Sequence, residues 1–362
     1  MTTLPPTLTP SHSVAVIGAG LAGLTAARQL QAAGRSVVVL EKSRGLGGRL
    51  NTRRHLDSRA DRGLPYLEPQ GPLTEAWIQE LQNTSDLQPW PQPLHHLTAE
   101  GLQTIPGDQR WAMPAGLSVA AKQLAAGLTI ARGHRAIALT APEKPGEPWT
   151  IQCDFPAAIE PEQQQEFWTA GAIVLAIPAP QAADLLESVA PDWAKRARQV
   201  TFDPCFSVTA AYGPDRELQL PNGEAWQGIR AQIPTDWRWL AREDSKADGI
   251  WAMGQPVLLL QSSAAVAERL WDVPTLEAVG QALLDRAGAD LGLHLQQPEW
   301  IQVHRWRYAI ARNPLDEGCW IDPDRALAVA GDWCAAHPPG QSLEAAMRSG
   351  LSAAQELLVH CF

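Results

Sequence analysis

The sequence is poor in features that mark several protein classes. It has five cysteines in 362 residues, and they are dispersed, without the close pairing of a zinc or thioredoxin motif. Their odd number and spacing predict reduced thiols in the cytoplasm rather than a disulfide framework. The nine histidines are scattered, and His95-His96 lies in a segment rich in Pro and Gln. We therefore predict no metal site.

Excess basic charge and long apolar runs are also lacking. Lys and Arg number 29 against 39 Asp and Glu, giving a formal net charge of -10. This balance disfavours binding to nucleic acid or to an anionic membrane. The apolar run 172–177 has the length of a strand, well short of the about 18 residues of a membrane span. Residues 1–12 lack the regions of a signal peptide and predict a disordered tail. We expect a cytoplasmic protein, monomer or homodimer.

The remaining composition is that of a globular protein, with 45% apolar and 19% charged residues. Residues 13–17 predict a strand, 21–33 a helix ended by Gly34, and 36–40 a second strand. This βαβ unit predicts two neighbouring parallel strands. Runs at 128–131, 136–140 and 149–153 predict a small antiparallel meander, and 156–166 a polar, exposed segment.

Between residues 200 and 310 the pattern changes to alternating or continuously apolar runs that predict an antiparallel sheet, interrupted by one helix near 275–287. A strand at 326–330 and a helix at 343–358 follow. The predicted fold class is α/β. A discontinuous domain (13–67, 105–180 and 325–362) would bind a dinucleotide, and an antiparallel-sheet substrate domain (68–104 and 181–324) would be inserted into it.

The strongest motif is the glycine fingerprint Gly18-Ala19-Gly20-Leu21-Ala22-Gly23, between the first strand and its helix. Gly18 allows the tight turn, Gly20 a close approach to a pyrophosphate, and Gly23 the packing of helix on strand. The helix N-terminus supplies free N–H groups for the phosphates. Glu41 ends the second strand and would accept both ribose hydroxyls while repelling a 2′-phosphate. The cofactor predicted here is FAD or NAD.

Two further features favour FAD. Gly45-Leu-Gly-Gly-Arg49 follows Glu41, where glycines allow a second close approach and Arg49 has a planar fork for the diphosphate. Gly331-Asp332 ends a predicted strand, so Asp332 is placed to accept from ribityl hydroxyls. The helix that begins near Ser342 would aim its N-terminus at the flavin ring. The alternatives are a plain surface loop at 45–49 and an ordinary turn aspartate at 332.

These residues resemble the FAD-binding amine oxidase and phytoene desaturase superfamily, and most of all the renalases. The resemblance is carried by GGRLNTRR at 47–54, DRGLPYL at 61–67, PAGLS at 114–118, VLAIPAPQA at 174–182, HRWRYA at 304–309 and VAGDWC at 329–334. In the segment 61–67, Pro65 departs from the renalase pattern by replacing an amide near the flavin. No cysteine stands near 300–308, where related enzymes link their flavin, so non-covalent FAD is implied.

The resemblance implies a Rossmann-like FAD domain of the glutathione-reductase type. It also implies that the protein oxidises 2- or 6-dihydro-NAD(P). Hydride would pass to flavin N5, and O2 would be reduced to H2O2. A dihydropyridine becomes aromatic on losing hydride, so no catalytic residue besides the flavin is predicted. The predicted cofactor contacts are Gly18, Ala19, Gly20, Ala22, Gly23, Glu41, Lys42, Gly48, Arg49, Gly63, Leu64, Pro65, Tyr66, Ala136, Gly331 and Asp332.

The substrate wall is expected to be aromatic. In the strand 300–310, Trp306 and Tyr308 share a face by alternation, Trp237 and Trp239 are expected to share another, and the resemblance places Tyr66 near the flavin. Tyr66, Trp239, Trp306 and Tyr308 are the predicted pocket residues, with sheet core as the alternative for the tryptophans. The functional alternatives are an amine oxidase or desaturase on this fold, and a flavin-binding stress or interaction protein without catalysis.

Overall fold

A computed structural model describes residues 13–55, 58–90, 94–105, 109–144, 146–155, 165–246, 255–338 and 340–362. The predicted tail 1–12 lies outside these residues. The strands are β1 Ser13–Ile17, β2 Ser36–Glu41, β3 Thr52–His55, β4 Ser58–Asp61, β5 Gln88–Pro89, β6 Leu94–Thr98, β7 Gly101–Ile105, β8 Trp111–Ala112, β9 Thr129–Arg132, β10 Arg135–Thr140, β11 Trp149–Asp154, β12 Gln165–Ala170, β13 Ala172–Leu175, β14 Phe202–Ala211, β15 Gly228–Ala231, β16 Trp237–Arg242, β17 Val257–Ser262, β18 Trp300–Ala311, β19 Trp320–Asp322 and β20 Leu327–Val329.

The three helices predicted at 21–33, 275–287 and 343–358 are present, and the structure adds others between them. They are α1 Leu21–Ala32, α2 Pro72–Thr84, α3 Ser118–Leu124, α4 Ala179–Leu186, α5 Pro191–Ala197, α6 Ala264–Arg269, α7 Leu276–Leu291 and α8 Ser342–His360, with 3-10 turns at Glu243–Lys246 and Asp332–Cys334. Of the helices in the described ranges, none combines the length and apolar character needed to cross a bilayer.

A six-stranded sheet forms the centre of the first domain, in the order β19-β20-β13-β1-β2-β9. β1 pairs in parallel with β2 and with β13, as the βαβ pattern predicts. Because side chains alternate along a strand, Val14 and Val16 pack under the helices on one face, while Ala15 and Ile17 join the core on the other. Burial on both faces explains why β1 and β2 are continuously apolar.

The meander differs from its prediction in two ways. β9 leaves it and pairs in parallel with β2 at the edge of the main sheet, because the helix α3 before it makes a crossover back to that sheet. The third strand of the meander is instead β12, antiparallel to β11. Part of the segment predicted to be polar and exposed, from Gln165 onward, therefore belongs to a sheet.

The second domain contains a seven-stranded sheet, in the order β18-β14-β17-β16-β15-β6-β7. Its pairs are antiparallel except β15 with β6, which run in parallel. One face carries an apolar core that includes Phe206, Val208 and Leu260 and packs against α7. The other face lies toward the loops of the first domain and is more polar.

The predicted division of the chain needs one correction. We assigned 68–104 to the substrate domain as a whole, but α2 contributes Trp77, Ile78 and Leu81 to the core of the first domain. Only β6 and β7, at the end of this segment, join the seven-stranded sheet. The apolar stripe of α2 decides its place, since it packs beside α8 and α1 rather than on the second sheet.

Candidate active site

The glycine fingerprint forms a tight loop between β1 and α1. Gly18 has φ +106°, and a Cβ there would lie 2.5 Å from the carbonyl oxygen of Ala176. A Cβ on Gly23 would lie 2.0 Å from the Gly18 oxygen, whereas one on Gly20 would meet nothing within 4 Å. Gly18 and Gly23 are thus required by packing, and Gly20 leaves open space above the loop. These are the roles that the dinucleotide fingerprint needs.

Glu41 is buried at the end of β2 and reaches back to the fingerprint. Its carboxylate accepts from the Ala19 N–H at 2.8 Å and from the Ser43 N–H at 2.7 Å. These bonds fix the carboxylate beside the loop, which is the position for a ribose acceptor. The His134 N–H binds the Glu41 carbonyl oxygen at 3.0 Å, so β10, with Ala136, starts next to this position.

The second glycine segment packs directly on the first. The Gly47 N–H donates to the Ala19 oxygen at 2.8 Å, and a Cβ on Gly48 would lie 3.4 Å from the Gly20 Cα. The two segments therefore form one continuous glycine-lined surface. Lys42 lies at its edge, where its ammonium donates to the Gln181 side chain at 3.3 Å.

Arg49 and Asp332, predicted separately, bind each other. Nη1 and Nη2 of Arg49 lie 2.8 and 2.7 Å from the two carboxylate oxygens of Asp332, and Nη1 also donates to the Ala309 oxygen at 2.9 Å. Asp332 is buried, while 37% of the Arg49 side chain is exposed. This bidentate pair joins the second glycine segment, the turn after β20 and the strand β18.

Residues 63–66 lie against the same arginine. The Leu64 N–H donates to the Arg49 oxygen at 2.9 Å, and a Cβ on Gly63 would lie 2.0 Å from that oxygen. Gly63 is required for this close approach. Pro65 follows and is half-buried, so the segment predicted to border the cofactor does border Arg49.

Tyr66 belongs to an aromatic cluster made of Tyr66, Trp90 and Trp239. Its ring centroid lies 5.7 Å from that of each tryptophan. The Tyr66 hydroxyl accepts from Arg230 at 3.0 Å, and the Arg110 guanidinium lies 5.5 Å from the ring centroid. The cluster therefore combines aromatic faces with two cations.

A row of side chains on the polar face of the second sheet meets the 61–67 segment. The Ser207 hydroxyl donates to the Arg62 oxygen at 2.6 Å, and the Gln261 amide donates to the Gly63 oxygen. The Trp306 indole N–H lies 3.1 Å from both the Arg62 oxygen and the Ser207 hydroxyl. The predicted wall residue Trp306 thus stands where the two domains meet, held in one orientation.

The predicted wall residues do not all lie together, although Tyr66 and Trp239 share one aromatic cluster. Trp237 and Trp239 do not share a face, because the ladder between β16 and β17 shifts register between them. Trp237 packs in the apolar core behind the sheet, and only Trp239 faces the site. Tyr308 lies where the ladder between β14 and β18 shifts register, and it contacts Phe202, at 5.5 Å between ring centroids. A bulge is not visible in an alternating pattern, which explains the error at Trp237.

Several residues of the site were not predicted. Asp61, Glu243 and Lys246 form a buried ionic cluster next to Trp90, with Lys246 Nζ 3.1 Å from Asp61 and 2.8 Å from Glu243. Burial raises the pKa of Glu243 to about 7. The only sequence signal was Asp61 itself, in the segment 61–67. Ser207 and Gln261 carried no signal, since polar residues in strands are common.

The two glycine segments, with Glu41, Arg49 and Asp332, would suit an FAD cofactor. The open space at Gly20, the fixed carboxylate of Glu41 and the glycine-lined surface lie together, and Arg49 with Asp332 lies beyond them. In the parts of the chain that the structure describes, no cluster of His, Cys, Asp or Glu suits a metal ion. All five cysteines are free thiols.

Two profiles of known protein families match this sequence. Residues 16–81 match the profile of the NAD(P)-binding Rossmann-like domain, and residues 104–358 that of the flavin-containing amine oxidoreductases. A putative flavin-containing monooxygenase of Arabidopsis thaliana is 60% identical over 45 residues, 12% of this chain and 27% of that protein. An L-amino acid oxidase of Crotalus durissus cumanensis is 40% identical over 74 residues, 20% of this chain and 15% of that protein. Both matches span only a small part of the relative's length.

Solved structures resemble the whole chain. A putative protoporphyrinogen oxidase from an Exiguobacterium species superposes with a TM-score of 0.72 at 14% identity, over 98% of this chain and 100% of that one. Putrescine oxidase bound to putrescine gives 0.73 at 15% identity, over 98% and 100%. Cyclohexylamine oxidase from Brevibacterium oxydans gives 0.68 at 14%, over 96% and 99%. At these identities the likeness confirms the fold.

Proposed function

Since the chain belongs to the flavin-containing amine oxidoreductases and is an FAD-dependent oxidoreductase, we propose that it is a renalase-like oxidase of 2- and 6-dihydro-NAD(P). When bound, FAD supplies a hydride acceptor at N5 and passes the electrons to O2, so that dihydro-NAD(P), O2 and a proton give NAD(P)+ and H2O2. We propose that FAD is held non-covalently and that the reaction takes place in the cytoplasm, with the dihydronicotinamide and O2 as its partners.

The observation that carries the proposal is the fixed Trp306 on a wall of neutral side chains. Trp306, Ser207 and Gln261 are all bonded to the main chain of residues 62 and 63 or to each other. Burial, and next the charge of Arg62, lowers the pKa of His304 to about 4, so this neighbouring ring is neutral at pH 7. Such a wall orients a flat ring without supplying a base.

A dihydronicotinamide needs this arrangement. Loss of hydride makes its ring aromatic, so no proton has to be removed by the protein, and the remaining task is to hold the ring in a reactive position. The Trp306 indole, fixed through its N–H, would limit the rotation of a flat substrate. Ser207 and Gln261 tie the wall to the segment that borders Arg49, so the wall would keep its position relative to that segment.

An amine oxidase is the second candidate. The family, and the aromatic cluster of Tyr66, Trp90 and Trp239, favour it, because amine oxidases bind neutral amines between aromatic rings. Against it stand Arg110 and Arg230, which lie close to the Tyr66 and Trp239 rings. An alkyl amine is mostly protonated in solution at pH 7, and two cations there would oppose its approach before it could lose the proton. The third candidate, a flavin-binding protein without catalysis, is favoured by Pro65.

Anaerobic mixing tests the three candidates together. The purified holoprotein is mixed with 6-dihydro-NAD, ordinary NADH and a panel of amines while the flavin absorbance is followed. We expect 2- and 6-dihydro-NAD(P) to bleach the flavin within seconds and NADH or amines far more slowly. Fast bleaching by amines alone would favour the second candidate, and no bleaching by any compound the third.

A further inference from the structure

The hairpin of β3 and β4 and the residues on either side of it carry a pair of arginines beside the Trp306 wall. Arg53 on β3 pairs with Ala60 on β4, and the Arg62 N–H bonds to the Asn51 oxygen at 2.9 Å. Arg53 and Arg62 are therefore diagonal neighbours on one face of the hairpin. His304 adds a third nitrogen group to this cluster, which we call the arginine cluster: Arg53, Arg62 and His304.

Within the described residues, which do not include Asp57 between β3 and β4, no carboxylate neutralises these arginines. Among the described residues, neither Arg53 nor Arg62 takes part in an ion pair, and the Nε of Arg53 is buried without a hydrogen-bond partner. The side chain of Arg62 donates to the amide oxygen of Asn51, through Nε at 3.1 Å and Nη2 at 2.7 Å. Asp61, which precedes Arg62 in the sequence, is held by Lys246 and Thr52.

The two cations oppose each other. Burial, and then the charge of Arg53, lowers the pKa of Arg62, and Arg62 in turn is one cause of the lowered pKa of His304. Two half-buried guanidinium groups side by side repel each other. Their proximity is unexpected in a chain that has 39 Asp and Glu against 29 Lys and Arg. An anion between them would relieve the repulsion and supply the missing hydrogen-bond acceptors.

The cluster also lies at the site. The Arg62 oxygen accepts the indole N–H of Trp306, and Leu64, two residues further on, bonds to Arg49. A molecule whose reactive ring lies against Trp306 would have its next few atoms within reach of the cluster. In a dinucleotide, the diphosphate follows the nicotinamide ribose, so it would extend from a ring at Trp306 toward the residues around it.

We propose that Arg53 and Arg62, with His304 beside them, bind the diphosphate of a dinucleotide substrate. This inference rests on the proposed function for the identity of the substrate. The diphosphate is common to the NAD and NADP forms, so a site built on it accepts both forms. Arg53 and Arg62 are then specificity residues that select an anionic substrate and disfavour cationic amines.

The test uses the FAD-loaded protein and the variants Arg53→Gln and Arg62→Gln. Arg54→Gln is the matched control, because Arg54 lies on the same strand, pairs with Arg59 and is exposed. Binding of ADP-ribose and of inorganic pyrophosphate is measured by calorimetry, which does not depend on turnover. Each site variant is expected to weaken ADP-ribose by about ten- to a hundredfold, while the control keeps the affinity of the parent protein.

Kinetics add a second readout. With 6-dihydro-NAD and 6-dihydro-NADP, both site variants should raise KM by a similar factor for the two forms and leave kcat nearly unchanged, because the anion is held before and during the reaction. A neutral N-alkyl dihydronicotinamide lacks the diphosphate, so the parent protein and the variants should oxidise it with the same KM and kcat. Thermal unfolding of each variant shows that it is folded.

The outcomes separate this inference from the proposed function. ADP-ribose binding that is equal in the parent protein and both site variants overturns the arginine cluster as the anion site. A loss of ADP-ribose binding in the variants, with no oxidation of dihydro isomers by the parent protein, upholds the anion site and rejects the proposed function. A larger rise in KM for the NADP form than for the NAD form would show that the arginines bind the 2′-phosphate, which also overturns the inference.

Discussion

Replacing Asp332 by Ala should weaken FAD binding while the fold persists. The buried carboxylate of Asp332 receives two bonds from Arg49, at 2.8 and 2.7 Å. Its removal leaves the guanidinium without its acceptor and takes away the oxygen proposed for the ribityl hydroxyls. Hydrogen bonds to a charged group are worth about 1.5–3 kcal/mol, which corresponds to about a ten- to hundredfold increase in the dissociation constant.

The stability of the apoprotein should change less. The Arg49 side chain is 37% exposed, so water replaces part of the lost contact. Because the pair is screened, the free energy of unfolding is expected to decrease by about 1 kcal/mol. The dissociation constant is measured by adding FAD to apoprotein and following the quenching of flavin fluorescence. Thermal unfolding of the apoprotein, followed by circular dichroism, gives the stability.

Two variants make the result specific. Asp322→Ala removes the partner of Arg325, a second Asp–Arg pair of the same sheet with Nε 2.8 Å from the carboxylate, and should leave FAD binding unchanged. A double-mutant cycle compares Arg49→Met, Asp332→Ala and the variant that carries both changes. The double variant should bind FAD little worse than either single variant. An unchanged FAD dissociation constant in Asp332→Ala would refute the reasoning and leave Asp332 as a turn residue only.

The other predictions concern the ribose end, the wall and the ionic cluster. Acid precipitation should release FAD from the yellow parent protein, and Glu41→Arg should purify colourless, because it removes the acceptor of the Ala19 and Ser43 amides; colour left in the washed pellet would contradict free FAD. Trp306→Ala should slow flavin reduction by dihydro-NAD with FAD retained, whereas Trp306→Phe should slow it less; equal rates in stopped flow would count against the wall. Folding raises the pKa of Glu243 to about 7, so the native state binds more protons than the unfolded state between about pH 4.5 and 7. The free energy of unfolding should therefore decrease as the pH rises through this range. Glu243→Gln should flatten that part of a denaturation series.

The parts of the fold that the sequence predicts well are those with local signals. The first βαβ unit is specified by an apolar strand, a glycine turn and an amphipathic helix that are contiguous in sequence. The strands of the second sheet follow from alternation, since one face is core and the other faces the site. β9 was misplaced and β12 was missed, because the pairing of each strand is decided by the crossover and by the meander, and neither is visible in the sequence of the strand itself.

The site shows the same limit more sharply. Arg49 and Asp332 were both identified from motifs, but their mutual bond joins residues 283 positions apart and has no sequence signal. Lys246 and Asp61 are 185 positions apart, and neither Glu243 nor Lys246 stands in a motif. Residue types at a site can be predicted from motifs, whereas the pairing between distant segments depends on how the two sheets meet.

The segment 61–67 shows what the departure at Pro65 changes. Its main chain is held from both domains: the Asp61 N–H by Glu243 at 2.8 Å, the Arg62 oxygen by Ser207 and Trp306, the Gly63 oxygen by Gln261, and the Leu64 N–H by Arg49. None of these bonds uses the N–H of residue 65. Proline therefore removes one donor without releasing the segment, since its neighbours fix the backbone on their own. The structure gives the proposal of a catalytically inactive protein less support than the sequence departure alone, because the wall and the cofactor segment remain tied together.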